Sequence, residues 1–406
     1  MNARPPKTVM VGTAGPPTAK RHSDSTRDQR IRGDADVVDF PHVATVTGGT
    51  VFRPTRIADF GDIAFLPQVA DVPEVQSAVI AVEIADTSLR GAIVVGAGPA
   101  GGASRGDGRG TGAGTQGQAG TATTPDTART IVSRTVPTPP AGSPDAVVAA
   151  AVAMISGLVR DSEGVVVVKG IGLAVPGIVD EDSGIVVDSP TLGWTDVPFA
   201  QMVQDEFDLP VGVGKDIRVA ALAEWQWGAG RDTRDMALVV AGTGVSCAVI
   251  VGGDAAYGAG YAGEIGHGGG TDGDLCACGG RGCLETYASG EAVVRRYAEA
   301  TGETAGDARE VAAAAETGDA IAREVWDQAV DGLAEAISGI VRAMGTQRIV
   351  VGGGLAAAGE AFTVPLAAAI RSRLTIHRAP EVVPAVMGPR IGLYGAALMG
   401  FRAAGL

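Results

Sequence analysis

One imidazole and three thiols lie close together in a glycine-rich part of the chain: His267, Cys276, Cys278 and Cys283. Three thiolates and one imidazole are typical of a closed tetrahedral zinc site, and glycines let a loop fold around the ion. Because such a site leaves no position for a reacting water, we predict a structural zinc ion. The alternative is a group of packed thiols beside an unrelated histidine. Cys247 lies in an apolar segment and is predicted to be a buried core thiol.

Three carboxylates lie at a predicted strand-to-helix junction or beside the predicted metal ligands. Such groups can act as bases or accept hydrogen bonds from hydroxyl groups. Asp216 lies at a predicted strand-to-helix junction, where a carboxylate either faces a cleft or caps the helix. Glu264 and Glu285 lie on either side of the predicted metal ligands. As isolated residues, these two would be interpreted as loop charges in solvent.

Two glycine-rich segments are candidates for a nucleotide site, and their residues are Gly242, Thr243, Gly244, Gly352, Gly353 and Gly354. The first three connect two apolar strands, so their backbone amides can approach a phosphate. An ordinary hairpin turn is the alternative interpretation of this segment. The last three follow another apolar strand, and their lack of side chains would let a ligand approach the backbone.

The elements that must position these residues alternate between strand hairpins and helices, twice along the chain, which predicts an α/β fold of two similar lobes. We predict a mostly disordered tail over 1–77, with a strand near 63–66, and an N-terminal lobe over 78–216. Residues of about 96–135 are rich in Gly and Thr and are predicted to form a flexible insertion. A C-terminal lobe with the metal loop is predicted over 217–390, and a helix over 391–406 is predicted to return to the first lobe.

The composition limits the classes of function that are open to the chain. Its 406 residues suffice for two domains with a cleft between them, and no segment has the roughly 20 apolar residues of a membrane span. The N-terminus lacks the apolar region of a secretory signal, so we expect a cytoplasmic protein without a membrane partner. The formal net charge of −14 argues against nucleic acid as a partner, and the basic stretch 1–32 is interpreted as a solvated tail.

The segment GEIGH at 263–267, followed by CACGGRGCLE at 276–285, resembles the signature loop of the ROK (repressor, open reading frame, kinase) family. This family comprises bacterial sugar kinases and sugar-responsive repressors. The resemblance extends over about 78–406 and, within the family, is strongest to actinobacterial glucokinases. It implies a two-lobed actin-like, ribonuclease-H-like ATPase fold with a structural zinc loop.

The resemblance also implies an activity, which is ATP-dependent phosphorylation of glucose or an N-acetylhexosamine with Mg²⁺. Asp216 matches the catalytic base of the family, and Glu264, His267 and Glu285 match its sugar-binding residues. The glycine-rich segments match its nucleotide loops, and a homodimer is expected. We therefore expect Glu264 and Glu285 to face Asp216 across a cavity between the lobes.

Two departures from the family pattern support a second hypothesis. Lys215 stands where the family usually has a sugar-binding Asn, and its charge is expected to lower the basicity of Asp216. The first phosphate loop of the family, Asp-x-Gly-Gly-Thr, is EIADT at 83–87, in which Ala85 and Asp86 replace glycines. A sugar-responsive regulator that has lost catalysis explains both departures. Against this second hypothesis, family repressors usually carry an N-terminal helix-turn-helix, and residues 1–77 show no such pattern. A third hypothesis is a zinc-stabilised fold that binds no ligand.

Overall fold

The structure is a computed structural model that describes residues 76–96, 128–140 and 143–406. The predicted strand near 63–66, nearly all of the predicted tail and most of the predicted insertion lie outside these ranges. No helix in the described ranges is both long enough and apolar enough to cross a membrane.

Thirteen strands and nine α-helices form the described part of the chain. The strands are β1 (Ser77–Ile84), β2 (Ser88–Val95), β3 (Arg129–Pro137), β4 (Val167–Val175), β5 (Ile178–Asp180), β6 (Ile185–Ser189), β7 (Trp194–Val197), β8 (Val211–Lys215), β9 (Met236–Ala241), β10 (Val245–Val251), β11 (Asp254–Ala255), β12 (Arg348–Gly352) and β13 (Glu381–Pro384). The helices are α1 (Pro144–Ser162), α2 (Phe199–Gln204), α3 (Asp216–Trp227), α4 (Glu285–Ala288), α5 (Gly290–Thr301), α6 (Ala308–Thr317), α7 (Ala320–Met344), α8 (Glu360–Ser372) and α9 (Ile391–Ala403).

Two five-stranded sheets share one strand order and one set of strand directions. The first sheet runs β3-β2-β1-β4-β8 and the second runs β11-β10-β9-β12-β13. In each sheet, an antiparallel meander of three strands is followed by two parallel strands. This repetition confirms the predicted two-lobed α/β fold. The boundaries proposed for the lobes stay predictions.

Helices α3 and α9 lie between the two sheets and form a core with both. This core contains Val79 of β1, Leu238 of β9, Ala221 of α3 and Phe401 of α9, all essentially buried. The opposite face of the first sheet is covered by α1, and β1 is therefore an apolar strand that is buried on both faces. The helix that begins at Asp216 thus connects the two halves of the molecule.

A glycine in β4 allows α9 to approach the first sheet at backbone distance. A Cβ atom at Gly172 would lie 1.7 Å from the backbone oxygen of Ala396, so any side chain there would displace the helix. The close fit fixes α9 on the sheet whose strand β8 leads into Asp216.

The predicted insertion ends earlier than expected, because Arg129–Pro137 forms β3, the edge strand beside β2. Most of its side chains are exposed, and an edge strand of this kind lacks the apolar signal that a buried strand shows. Helix α2 and the α8–β13 segment were also not predicted. The α8 sequence contains Pro365, which weakens the helical pattern.

Candidate active site and metal centre

The four predicted metal ligands lie together in the loop between β11 and α4. The ligand atoms of His267, Cys276, Cys278 and Cys283 all lie within 4.8 Å of one another. The Cys276 sulfur is 3.5 Å from the His267 Nδ1 atom, and the Cys278 and Cys283 sulfurs are 3.7 Å apart. A zinc–sulfur bond of about 2.3 Å places two ligand atoms of a tetrahedron roughly 3.8 Å apart. The donor set and its spacing therefore fit a zinc ion.

Three of the cysteines differ in their surroundings. The backbone amide of Gly268 lowers the pKa of Cys283 to about 7, whereas burial raises the pKa of Cys276 to about 11. Cys247 is 1% exposed on β10, and burial raises its pKa to about 12. The prediction that Cys247 is a buried core thiol is confirmed.

Asp216 is the first residue of α3, and Lys215 before it is the N-cap residue. The Oδ1 atom of Asp216 accepts a hydrogen bond of 2.6 Å from the Ile217 amide. Burial raises the pKa of Asp216 to about 6, although this hydrogen bond and the charge of Lys215 lower it; Asp86 and Glu264 add to the rise. The expected effect of Lys215, which lowers the pKa of Asp216, is therefore present, but the cost of burying the carboxylate charge outweighs it and the net pKa is raised.

Lys215 pairs with one of the two carboxylates that the family resemblance assigns to the sugar. Its ammonium group forms an ion pair and a hydrogen bond with Glu264. The Lys215 side chain is 8% exposed and that of Glu264 is 36% exposed, so the carboxylate keeps an open side. A sugar hydroxyl that binds Glu264 has to share this carboxylate with the ammonium group.

Glu285 contacts the turn between β9 and β10. Its Oε2 atom accepts a hydrogen bond of 3.0 Å from the Val245 amide, and its Oε1 atom is 4.0 Å from the Cys276 sulfur. A Cβ atom at Gly244 would lie 2.2 Å from the Glu285 carboxylate, so only glycine permits this contact. In the described ranges no hydrogen bond joins Glu285 to Asp216 or Glu264.

The two predicted nucleotide segments are neighbours. At Gly353, φ is 85° and a Cβ atom would lie 2.5 Å from the Ala241 backbone, which places this loop against the β9–β10 turn. Within the turn, the Gly242 amide donates to the Gly244 oxygen at 2.9 Å. The described residues supply no acceptor for the amides of Thr243 and Gly244, which leaves both free for a ligand.

A cavity of about 870 Å³ opens beside these two segments, and we call it the turn cavity. Its wall includes Thr243 of the turn, Gly354, Cys276 of the metal loop and Gly290 at the start of α5. Arg295 also lines it and is paired with Asp274 and Glu299 of the same region. The volume lies within the range of roughly 300–1,000 Å³ that is typical of small-molecule pockets.

The β1–β2 turn has a different chemistry. The Ala85 amide donates to the Ser88 oxygen at 3.0 Å, so this amide is already paired. Burial raises the pKa of Glu83 to about 7, although Arg90 lies 3.4 Å away; Asp216 adds to the rise. The Glu83 Oε2 atom is buried and has no hydrogen-bond partner in the described ranges. This turn offers carboxylates where the equivalent β9–β10 turn offers amides.

Comparison with known proteins identifies the class to which this fold and site belong. The model of the ROK family matches residues 114–402, which is more than half of the chain. The chain belongs to the ROK family.

Relatives within the family include both enzymes and regulators. A glucokinase from Halalkalibacterium halodurans is 35% identical over 216 residues, which cover 48% of this chain and 64% of that protein. A xylose repressor from Caldicellulosiruptor bescii is 37% identical over 132 residues, 31% of this chain and 32% of that protein. The chain thus matches less than two thirds of the length of either relative.

A solved structure provides the comparison of folds. The crystal structure of a ROK family glucokinase from Streptomyces griseus, in complex with glucose and AMPPNP, superposes with a TM-score of 0.61 at 28% identity. The match covers 80% of this chain and 99% of that chain. It agrees with the fold expected from the resemblance.

A buried arginine near Asp216 and its partly exposed carboxylate partner were missed by the sequence analysis. Arg218 is 2% exposed and pairs with Glu181 of the β5–β6 turn at 2.5 Å. A signal for Arg218 was present, since a single arginine within the apolar run of α3 indicates a buried ion pair. Nothing in the sequence identified Glu181 as its partner.

Proposed function

We propose that this chain is an ATP-dependent hexose kinase in which Asp216 is the general base. The observation that carries the proposal is the position of Asp216, a carboxylate with a raised pKa of about 6 beside the Lys215–Glu264 pair. Such a base is mostly ionised at pH 7 and is more basic than an ordinary aspartate, as proton abstraction from a hydroxyl requires.

The reaction would proceed as an in-line transfer. Asp216 takes the proton of one sugar hydroxyl while the hydroxyl oxygen bonds to the terminal phosphorus of ATP. The bond between this phosphorus and the bridging oxygen breaks, and ADP leaves with the electron pair of that bond. Glu264 accepts a hydrogen bond from a neighbouring hydroxyl, and Glu285 and His267 are the other candidate sugar contacts.

The nucleotide would occupy the turn cavity. The free amides of Thr243 and Gly244 suit phosphate oxygens, and the glycines at 352–354 leave room for the adenosine. Mg²⁺ would supply positive charge between the phosphates, and Glu83 and Asp86, whose charges act on Asp216, are carboxylates that could hold it. The buried Oε2 atom of Glu83 accepts no hydrogen bond in the described ranges and lies 3.4 Å from Arg90, so Mg²⁺ would compete with Arg90 for it.

The zinc ion would be structural. His267 and the three neighbouring cysteines would hold it, and it would hold the loop that carries Glu285 against the β9–β10 turn. Glucose or an N-acetylhexosamine is the proposed substrate, and a homodimer is the proposed assembly.

A coupled kinase assay across a set of hexoses tests the proposal. The substitution Asp216→Asn keeps the shape and removes the base, so we expect kcat to fall by about a thousandfold. Asp161→Asn is the matched control, because Asp161 pairs with Arg134 on the opposite face of the first sheet. Unchanged turnover in Asp216→Asn would remove the catalytic assignment.

A sugar-responsive regulator is the second candidate. The ion pair between Lys215 and Glu264 favours this candidate. Because the carboxylate is already paired, it is less available to position a sugar hydroxyl for phosphoryl transfer. The similarity to a xylose repressor points the same way. Gel-shift assays with upstream DNA, with and without sugar, separate the two candidates, since a kinase alone gives no sugar-dependent shift.

A further inference from the structure

Glu181 joins the β5–β6 turn to the strand-to-helix junction that carries Asp216. Its Oε1 atom accepts a hydrogen bond of 3.2 Å from the Lys215 amide and one of 2.5 Å from the Arg218 side chain. Strand β8 is at the edge of the first sheet, so the Lys215 amide has no neighbouring strand on that side. Glu181 supplies the missing acceptor and fixes the end of β8.

Arg218 continues this connection into the second half of the molecule. Its other nitrogen donates to the Gly260 oxygen at 3.2 Å, and its guanidinium carbon lies 5.0 Å from the centre of the Tyr257 ring. The Tyr257 hydroxyl in turn donates to Asp180, next to Glu181, at 3.3 Å. A planar guanidinium suits this combination of two hydrogen bonds and one aromatic contact, which an ammonium group cannot reproduce.

The segment that Arg218 holds leads directly to Glu264. Gly260 lies four residues before Glu264, and Lys215 binds the Glu264 carboxylate from the same turn of α3. Two cations, at the first turn of one helix, therefore hold the Glu264 loop at two points. Both cations are oriented by Glu181, one through its amide and one through its side chain.

We infer that Glu181 and Arg218 are positioning residues that set the distance between Asp216 and Glu264. The inference rests on the proposed kinase function, since it assigns these carboxylates to one sugar. Neither residue lines the turn cavity, so their substitution should impair use of the sugar and leave nucleotide binding unchanged. Misplacement of a bound hydroxyl by about 1 Å is enough to slow such a reaction by about a hundredfold.

The test compares Glu181→Gln and Arg218→Lys with wild type in steady-state kinetics. Glutamine keeps an acceptor for the Lys215 amide but removes the charge, and lysine keeps the charge but loses the second hydrogen bond. We expect kcat/KM for the sugar to fall by about tenfold in each variant, with the KM for ATP unchanged. The double variant is expected to be no slower than the slower single variant, because both changes break one connection.

Glu381→Gln is the matched control, because it breaks the Arg348–Glu381 ion pair at the far edge of the second sheet. The control is expected to keep wild-type kinetics. The inference is overturned if Glu181→Gln and Arg218→Lys also keep wild-type kinetics, or if they weaken sugar and nucleotide equally, as general destabilisation would.

Sugar binding measured by isothermal titration separates this inference from the kinase proposal. If wild type phosphorylates no hexose but binds one, the kinase proposal fails. An unchanged sugar Kd in Glu181→Gln would then overturn the positioning role, and a weaker Kd would support it. A wild-type protein that binds no hexose at all overturns both.

Discussion

The β1–β2 turn and the β9–β10 turn occupy equivalent places in two sheets of identical topology, yet their chemistry is opposite. The β9–β10 turn has free amides and glycines that let Glu285 approach. In the β1–β2 turn the Ala85 amide is paired, and the side chains are acidic. A shared fold therefore constrains where a phosphate site can form, while the turn residues decide whether it does.

The contrast between the two turns predicts different roles for the first and the second sheet in phosphate binding. The second sheet offers the unpaired amides of Thr243 and Gly244 to the proposed nucleotide, although acidic side chains such as Glu291 and Asp307 also line the turn cavity. The first sheet offers Asp86 and Glu83, which repel phosphate unless a cation lies between them. Any phosphoryl transfer would thus depend more heavily on Mg²⁺ at the first turn than at the second.

Removal of zinc is expected to have the largest effect, which is a loss of order in the metal loop and the β9–β10 turn but not in the β1–β2 turn. Structural zinc ions contribute on the order of 10 kcal/mol to the folding of their loops, so a strong chelator should disorder the 263–285 loop and release the β9–β10 turn. Hydrogen exchange followed by mass spectrometry should show faster exchange in both segments and little change at 84–88.

Cysteine variants control for the chelator. Cys283→Ser should lower the zinc content measured by elemental analysis, whereas Cys247→Ala should leave it unchanged because Cys247 lies in the core. Equal exchange at the two turns after metal removal would contradict the proposed division of roles.

Substitution of Gly244 is expected to have the next largest effect. In Gly244→Ala the added Cβ would lie 2.2 Å from the Glu285 carboxylate, so one of them must move. A displaced Glu285 carboxylate loses its hydrogen bond with the Val245 amide, which costs about 1.5–3 kcal/mol, and we expect the KM for ATP to rise by about tenfold or more. Gly339→Ala, where an added Cβ meets no atom within 4 Å, is the control. An unchanged KM for ATP would show that the turn does not bind the nucleotide.

The double variant Ala85→Gly/Asp86→Gly should make the first turn more like the second. It removes one negative charge near the proposed phosphates and relaxes the backbone, so we expect the KM for ATP to fall by about tenfold. Asp327→Asn, a single charge change on the exposed face of α7, tests for a general effect of net charge. A KM that does not fall would mean that the phosphates do not approach this turn.

The smallest expected effect is a shift in pH dependence. Asp216 must be ionised to act as a base, so kcat/KM should fall as the pH drops through its pKa of about 6. Lys215 lowers this pKa, and Lys215→Met should therefore raise it and move the acid limb of the profile to higher pH. We expect the ratio of kcat/KM at pH 6 to kcat/KM at pH 8 to be about threefold lower in Lys215→Met than in wild type.

Lys169→Met, an exposed lysine of β4, is the control for this profile. Rates measured between pH 5 and pH 8 at one ionic strength check the prediction. An acid limb that stays in place in Lys215→Met would show that another group controls it.

The elements and motifs that depend on neighbouring residues could be predicted from the sequence. The metal cluster is an example, since its four ligands lie within one loop and their chemistry is specific. The two-lobed fold was predictable because apolar strands and helices alternate twice. Strand β3 was not, because its exposed edge carries no apolar periodicity.

Interactions between distant segments could not be predicted. Lys215 and Glu264 are 49 positions apart, and no local pattern shows that one neutralises the other. The net pKa of Asp216 could not be predicted for the same reason: the neighbouring cation that lowers it is visible in the sequence, whereas the burial that raises it to about 6 is not. Glu181 was missed because its partners lie on another element.

The position of α9 has a consequence for synthesis on the ribosome. Strands β1 and β4 emerge long before α9, and the face of the first sheet that contains Val79, Ala81 and Ala174 lacks most of its cover until this helix arrives, since α3 packs mainly against α9 and the second sheet. Nascent chains should therefore expose much of this apolar surface for most of translation, and chaperones bind surfaces of this kind. Early termination upstream of residue 391 would leave that surface permanently open and the product prone to aggregate.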